Sequence, residues 1–361
     1  MDNRTIQEQG LPPITQLKKR RIRWEAIQFM DNGDAYYKDE PYTGGAYALF
    51  PSKNPNTTEA PKIAKEGEFL NGKLHGEYKV YNPKGQFISR ETYNQGKKDG
   101  IFYYYYETGE LEVKGVMKLE VLHGLVEGFY ASGAKYYINV YTDGARDGKC
   151  VSYFENGQLE NESEYKMGIP VGVHYGYFPD GTVRYMKSFN SEGQLHGANY
   201  VFHRTGCEAL EEYYKNGKLD SVQRAWDALS CFLIRSGNYK LGEKDGIFAE
   251  LNMFGDTLKI ESYKNGIRHG FFGSYIEQKP EEDDANPRPR IVTEMEGLYL
   301  DGLAEGYWVY GQVSHYQERK GTYKKGVKIG TWLYYDHRGE LLLEQNFDEN
   351  GDQIGGKIYE N

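Results

Sequence analysis

Long apolar runs are missing from this sequence: no stretch approaches the roughly 18 apolar residues of a membrane-crossing helix, and Met1 to Gly10 has no secretory apolar core. A soluble cytoplasmic protein is expected. Cysteine is scarce, with only Cys150, Cys207 and Cys231, an odd number lacking C-x-x-C spacing, so neither a disulfide framework nor a zinc site is indicated. The three read as reduced thiols. Basic charge is also short, at 44 Lys+Arg against 53 Asp+Glu and a net of -9, which disfavours nucleic acid because phosphate binding needs clustered cations. G-x-S-x-G, H-E-x-x-H and GxxxxGK[ST] do not occur. No catalytic residue, metal or cofactor is expected, and the chain reads as a non-enzyme. Aliphatic weight is low, with 39% hydrophobic residues and a mean hydropathy of -0.77.

Glycine and tyrosine are abundant instead, 44 and 34 residues, and aromatics reach 15%. That is too aromatic for a disordered chain, so Tyr and Phe must supply most of the buried area. The phrase Y-x2-G-x3-G recurs from Tyr93, Tyr141, Tyr165, Tyr239, Tyr263, Tyr299 and Tyr323. Its second glycine makes a ruler, Gly76, Gly100, Gly124, Gly148 and Gly172 at steps of 24, then Gly197, Gly246, Gly270, Gly306, Gly330 and Gly355. Nine residues after most of these comes a third glycine, such as Gly85, Gly109, Gly133 and Gly157. Between the glycines lie aromatic runs suited to strands, and Asn-Gly at Asn71, Asn156, Asn216, Asn265 and Asn350 signals tight hairpins. A single short hairpin cannot bury a face, so neighbours must stack. The expected fold is all-β, an elongated single-sheet solenoid of about eleven 24-residue β-hairpin repeats, each advancing on the order of 9.5 Å.

Along the chain, 1–23 reads as a basic lead-in, 24–66 as irregular capping repeats, 67–219 as regular repeats, and 239–276 and 291–361 as further repeats with a C-terminal cap. Residues 220–238 lose the ruler glycines and read as a degenerate repeat, with Trp226 five residues after Ser221. A helical face of Val222, Ala225, Trp226, Leu229 and Phe232 is the alternative. Glu277 to Arg290 reads as a charged, Pro-containing, solvated loop.

The Y-x2-G-x3-G phrase, the NG-x-L continuations at Asn71, Asn156 and Asn216, and PYTG at Pro41 to Gly44 resemble the MORN repeat, closest to its bacterial variant in antitoxins of toxin-antitoxin systems. The resemblance covers roughly residues 24 to 359. It implies a non-catalytic repeat protein that neutralises a partner protein by occlusion, the partner being a basic toxin or effector. From eukaryotic members it implies, alternatively, phospholipid contact or a self-assembling scaffold.

His75, His123, His196 and His269 precede the second glycine, where other repeats carry Asp99, Asp147 and Asp245. Repeats about 9.5 Å apart cannot share one metal, so these histidines read as turn residues. By the same spacing Cys207 and Cys231 are expected to be too far apart to bridge. Glu211 with Glu212, and Glu281 to Asp284, read as solvated charge. Five residues after the second glycine, Tyr81, Tyr105, Phe129, Tyr153, Tyr177, Phe202, Tyr275 and Tyr335 are expected to form the inward core row. One residue later Tyr106, Tyr130, Phe154 and Phe178 should face outward, and with Tyr104 and Tyr136 they form the candidate partner-binding patch. The candidate lipid-binding run is Lys18, Lys19, Arg20, Arg21 and Arg23.

Overall fold

A computed structural model describes residues 21–51, 60–278, 288–311 and 317–359. Nearly all of them lie in strands or in the turns between, with one 3-10 turn at Trp24–Ala26. The chain divides into two compact units, Met1–Ile169 and Pro170–Asn361. In the first, from Gly44–Leu49 to Leu159–Lys166, successive long strands pair antiparallel, and Arg21–Arg23 adds in parallel to Gly44–Leu49. It begins with a small cluster of Ile27, Ala35, Tyr42, Ala46 and Phe69, against which Trp24 and Leu74 pack. In the second unit the same antiparallel succession runs from Ile169–Tyr177 to Gln353–Ile358. The all-β hairpin stack expected from the glycine ruler is thus the observed architecture.

Two kinds of turn build each repeat. At Asn216-Gly217 both residues have positive φ, 49° and 78°, the two-residue turn whose twist matches that of the flanking strands. At the other end Asn82 to Gln86 closes with the Asn82 amide donating to the Gln86 carbonyl and the Gly85 amide to the Asn82 carbonyl, both at 2.8 Å, and the Asn82 Oδ1 accepts from the Lys84 and Gln86 amides at 3.0 Å. Beside this tip the ladder shifts register between Val80 and Tyr81, a bulge that recurs in the other repeats. Hairpins are also tied to one another, since the two-residue turn donates to a carbonyl in the preceding hairpin, as Gly96 to Leu74 and Gly266 to Lys244, both 2.8 Å.

The fully buried row lies two residues after the second glycine: Phe102, Val126 and Cys150 in the first unit, Phe272, Trp308 and Trp332 in the second. Each of the second unit's rings meets a tyrosine of the phrase edge-on. In the second unit Phe272, Tyr299, Trp308, Tyr323 and Trp332 form a continuous zigzag with centroids 5.0 to 5.9 Å apart. Gly321 pairs with Trp308, and a Cβ there would fall 2.3 Å from the Trp332 indole. Its role is to admit a ring and not to make a turn. The expected core row at position five is only half-buried throughout. The reason is its place at the strand end beside the tip, on the opposite face from position two. Tyr175 stacks on Tyr177 and Tyr200 on Phe202, whereas Trp308 stacks on Tyr310.

Residues 218–240 form two strands, Lys218–Trp226 and Leu233–Lys240, so the helical alternative does not hold. The presumed loop after Glu277 begins as strand, because Glu277 and Gln278 pair with Ile291 and Arg290 and lengthen that hairpin. Arg288 is ion-paired with Asp256, while 279–287 lie outside the described residues. Cys207 and Cys231 are joined by a disulfide, with Cα atoms 5.9 Å apart, against the expectation of reduced thiols. Strand spacing governs the sheet interior and not the tips. The tip Asp227 to Phe232 is one residue longer than Asn82 to Gln86 and takes Cys231 through a left-handed φ of 57° beside its neighbour.

Candidate functional site

The candidate aromatic patch has a structural share. Tyr106 is half-buried and its hydroxyl donates to the Phe129 carbonyl of the next repeat at 2.7 Å; Tyr130 does the same to Tyr153 at 2.8 Å. Phe154 and Phe178 are also half-buried and close their own tips through backbone bonds to Gln158 and Thr182. Tyr104 lies on the face of Phe102, with centroids 5.2 Å apart. Tyr136 alone of the six is exposed, at 43%, and it packs on Tyr130 at 4.8 Å. The outward stripe expected from alternation is therefore partly turned into rungs between repeats, because position six lies past the strand end, in the tip, where the Tyr106 and Tyr130 hydroxyls reach the following hairpin.

Tyr104 belongs to a buried polar cluster. The Glu91 carboxylate accepts from Tyr104 at 2.6 Å, Tyr93 at 2.9 Å and the Lys98 ammonium at 2.5 Å. Burial opposes its charge, but these hydrogen bonds outweigh it and hold the carboxyl below its ordinary value. Burial and the same carboxylate push the Tyr104 hydroxyl up. Glu211, expected to be solvated, is buried too, paired with Arg224 at 2.8 Å. Of the basic run, Lys18, Lys19 and Arg20 lie outside the described residues. Arg21 is bound to Glu66, and both Arg21 and Arg23 lie over the Tyr47 ring at 5.4 Å.

The residue before the second glycine joins consecutive repeats. Asp147 accepts from the Met167 amide at 3.2 Å, Asp245 from Asn265 at 3.1 Å and Glu305 from Lys325 at 2.7 Å. His196 and His269 sit 3.0 and 3.1 Å from Asn216 and Asp301 in the same arrangement. They are turn residues with a defined partner.

Two surfaces were not anticipated. One is the residue just after the second glycine, exposed in the first unit as Ile101 and Leu125 and, separately, in the second as Val173, Ile247, Phe271 and Tyr307. The other is a pair of tips in the second unit, carrying Leu229 and Phe232, and Met253 and Phe254. Apolar residues at turn positions that other repeats fill with polar ones were the available signal.

Residues 74–95, 98–118 and 146–167 match the family described as MORN repeat variant. Over these segments the chain carries MORN-type repeats. The matched MORN segments all lie in the first unit, and the hairpin, glycine and tyrosine pattern continues through the second. No curated protein matches. Among solved structures, the crystal structure of TcdB2-TccC3-Cdc42 aligns at 11% identity over 82% of this chain and 17% of that one, with a TM-score of 0.14. The crystal structure of TcdB2-TccC3 aligns at 10% identity over 87% and 20%, with a TM-score of 0.12. The chain thus spans a fifth or less of either, and at these scores the likeness carries no argument.

Proposed function

We propose that this protein is a non-catalytic binding protein that neutralises a partner protein by covering it, in the manner of an antitoxin or immunity protein. The observation that supports this is the exposed apolar row after the second glycine, repeated from hairpin to hairpin as Ile101 and Leu125 in one unit and Ile247, Phe271 and Tyr307 in the other. Exposed apolar surface bounded by polar groups marks association sites, and an acidic chain of net charge -9 favours encounter with a basic partner. Cytoplasmic location loses the support of reduced thiols, since disulfides persist mainly in oxidising compartments. Among the described residues, no helix is long and apolar enough to cross a membrane.

An affinity pull-down with the full chain from its native host tests the proposal. One stoichiometric protein, lost when Ile247 and Tyr307 are both changed to Ser, is the expected result. Sedimentation with anionic liposomes and no protein partner would transfer the function to phospholipid association through the Lys18 to Arg23 run.

A further inference from the structure

Across the repeats, the tips opposite the two-residue turns carry polar residues, such as Lys84, Thr108, Ser132, Asn156, Arg204 and Arg338. Two tips on adjacent hairpins of the second unit depart from this. Asp227 to Phe232 exposes Leu229 at 93% and Phe232 at 56%, and Asn252 to Asp256 exposes Met253 at 57% and Phe254 at 44%. Their hairpins neighbour each other through the pairing of Leu233–Lys240 with Gly246–Leu251.

Both tips are held from outside themselves. The first is tied to the preceding tip by the Cys207–Cys231 disulfide and braced within by Asp227, whose carboxylate accepts from the Leu229 amide at 3.0 Å and from the Ser230 amide at 2.8 Å. The second is clamped by Arg288, which pairs with Asp256, reaches the Phe254 carbonyl at 3.5 Å and lies 5.9 Å over the Phe254 ring. Fixing exposed apolar side chains in advance removes ordering entropy from a later association.

We infer that these two tips form a rigid protein-docking site that takes an apolar segment of another protein with basic flanks. The charge around them selects that partner over a bilayer. Arg235 and Arg288 are ion-paired to Glu250 and Asp256, which leaves Asp227 in the first tip and Glu277, bonded to Asn252 of the second, as the charge without a basic partner among these six. Anionic headgroups would be repelled, whereas Lys or Arg beside an apolar anchor would be attracted. The inference rests on the chain being a protein binder and names where on it one partner docks.

The test pans a phage-displayed random dodecapeptide library on the full oxidised chain and in parallel on Leu229→Asp/Phe254→Asp, with circular dichroism confirming that both are folded. Expected are peptides combining apolar residues with Lys or Arg, bound at least about tenfold more weakly by the double variant. Weakening by Arg288→Ala, which frees one tip while leaving its apolar residues in place, is expected as well. Equal binding to the double variant would overturn the tip site and leave the protein-binding reading intact. No enrichment on either chain would count against both. Association with phosphatidylcholine vesicles, or a dimer abolished by the double variant, would assign the tips to lipid or to self-association instead.

Discussion

At the scale of single residues, glycine and tryptophan are paired by shape. Gly321 leaves the space that the Trp332 indole fills, so Gly321→Ala pushes that ring out of the zigzag. It should cost about 2 to 4 kcal/mol in urea unfolding, approaching the effect of Trp332→Ala, because both open the same buried contact. Glu91 gives a pH dependence whose sign follows from its environment. Its carboxyl titrates below the ordinary 4.5 in the folded chain, so the stability it contributes is present above that value and is lost as the pH falls through the lower folded value. Glu91→Gln should therefore lower Tm clearly at pH 7, by about 1 to 2 kcal/mol of stability, and much less at pH 3. A gap in Tm between the two proteins that stays constant with pH would contradict the assignment.

At the scale of the hairpin, the same turn is made with good and poor residues. Asn216 and Asn265 occupy the left-handed position of the two-residue turn, where Leu241, Met167 and Lys325 stand in other repeats with φ of 47° to 52°. Asn tolerates that region better than a branched or long side chain, and Leu241 is exposed, so Leu241→Asn loses little burial. It should raise stability by about 0.5 to 1 kcal/mol in denaturant unfolding. Between hairpins, Tyr106→Phe and Tyr130→Phe should each cost about 1 kcal/mol by leaving a carbonyl without its donor, and Ser at either position should cost more. The hairpin itself was legible because both turns demand glycine at fixed offsets. The faces were less legible. Alternation from position five took the wrong face as core, since position two lies on the other face of the same strand and Phe102 or Trp308 cannot be told from Tyr105 or Tyr335 by residue type. The patch of Tyr104, Tyr106 and Tyr130 was visible as aromatics but not as hydrogen-bond donors, whose acceptors lie 23 residues onward for Tyr106 and Tyr130 and 13 residues back for Tyr104.

At the scale of the whole molecule, a cross-link between tips matters more than one within a strand pair. The Cys207–Cys231 bridge closes 24 residues of chain, and by loop-closure entropy its reduction should cost about 3 kcal/mol. Cys207→Ser with Cys231→Ser should lower the stability of the second unit by that amount in differential scanning calorimetry, with Cys150, buried and unbridged, untouched. The bridge escaped the sequence because a 24-residue separation reads as one full step of the sheet.

The acceptor that stands before several of the second glycines bears on how such a chain is made. Asp147 is synthesised 20 residues before the Met167 amide it binds, Asp245 before Asn265, and Glu305 before Lys325. A finished hairpin that carries this acceptor thus offers a docking point to the one that leaves the ribosome next, without waiting for a distant part of the chain. A polypeptide of this kind can be laid down course upon course in the order in which it is translated, each layer templating its successor.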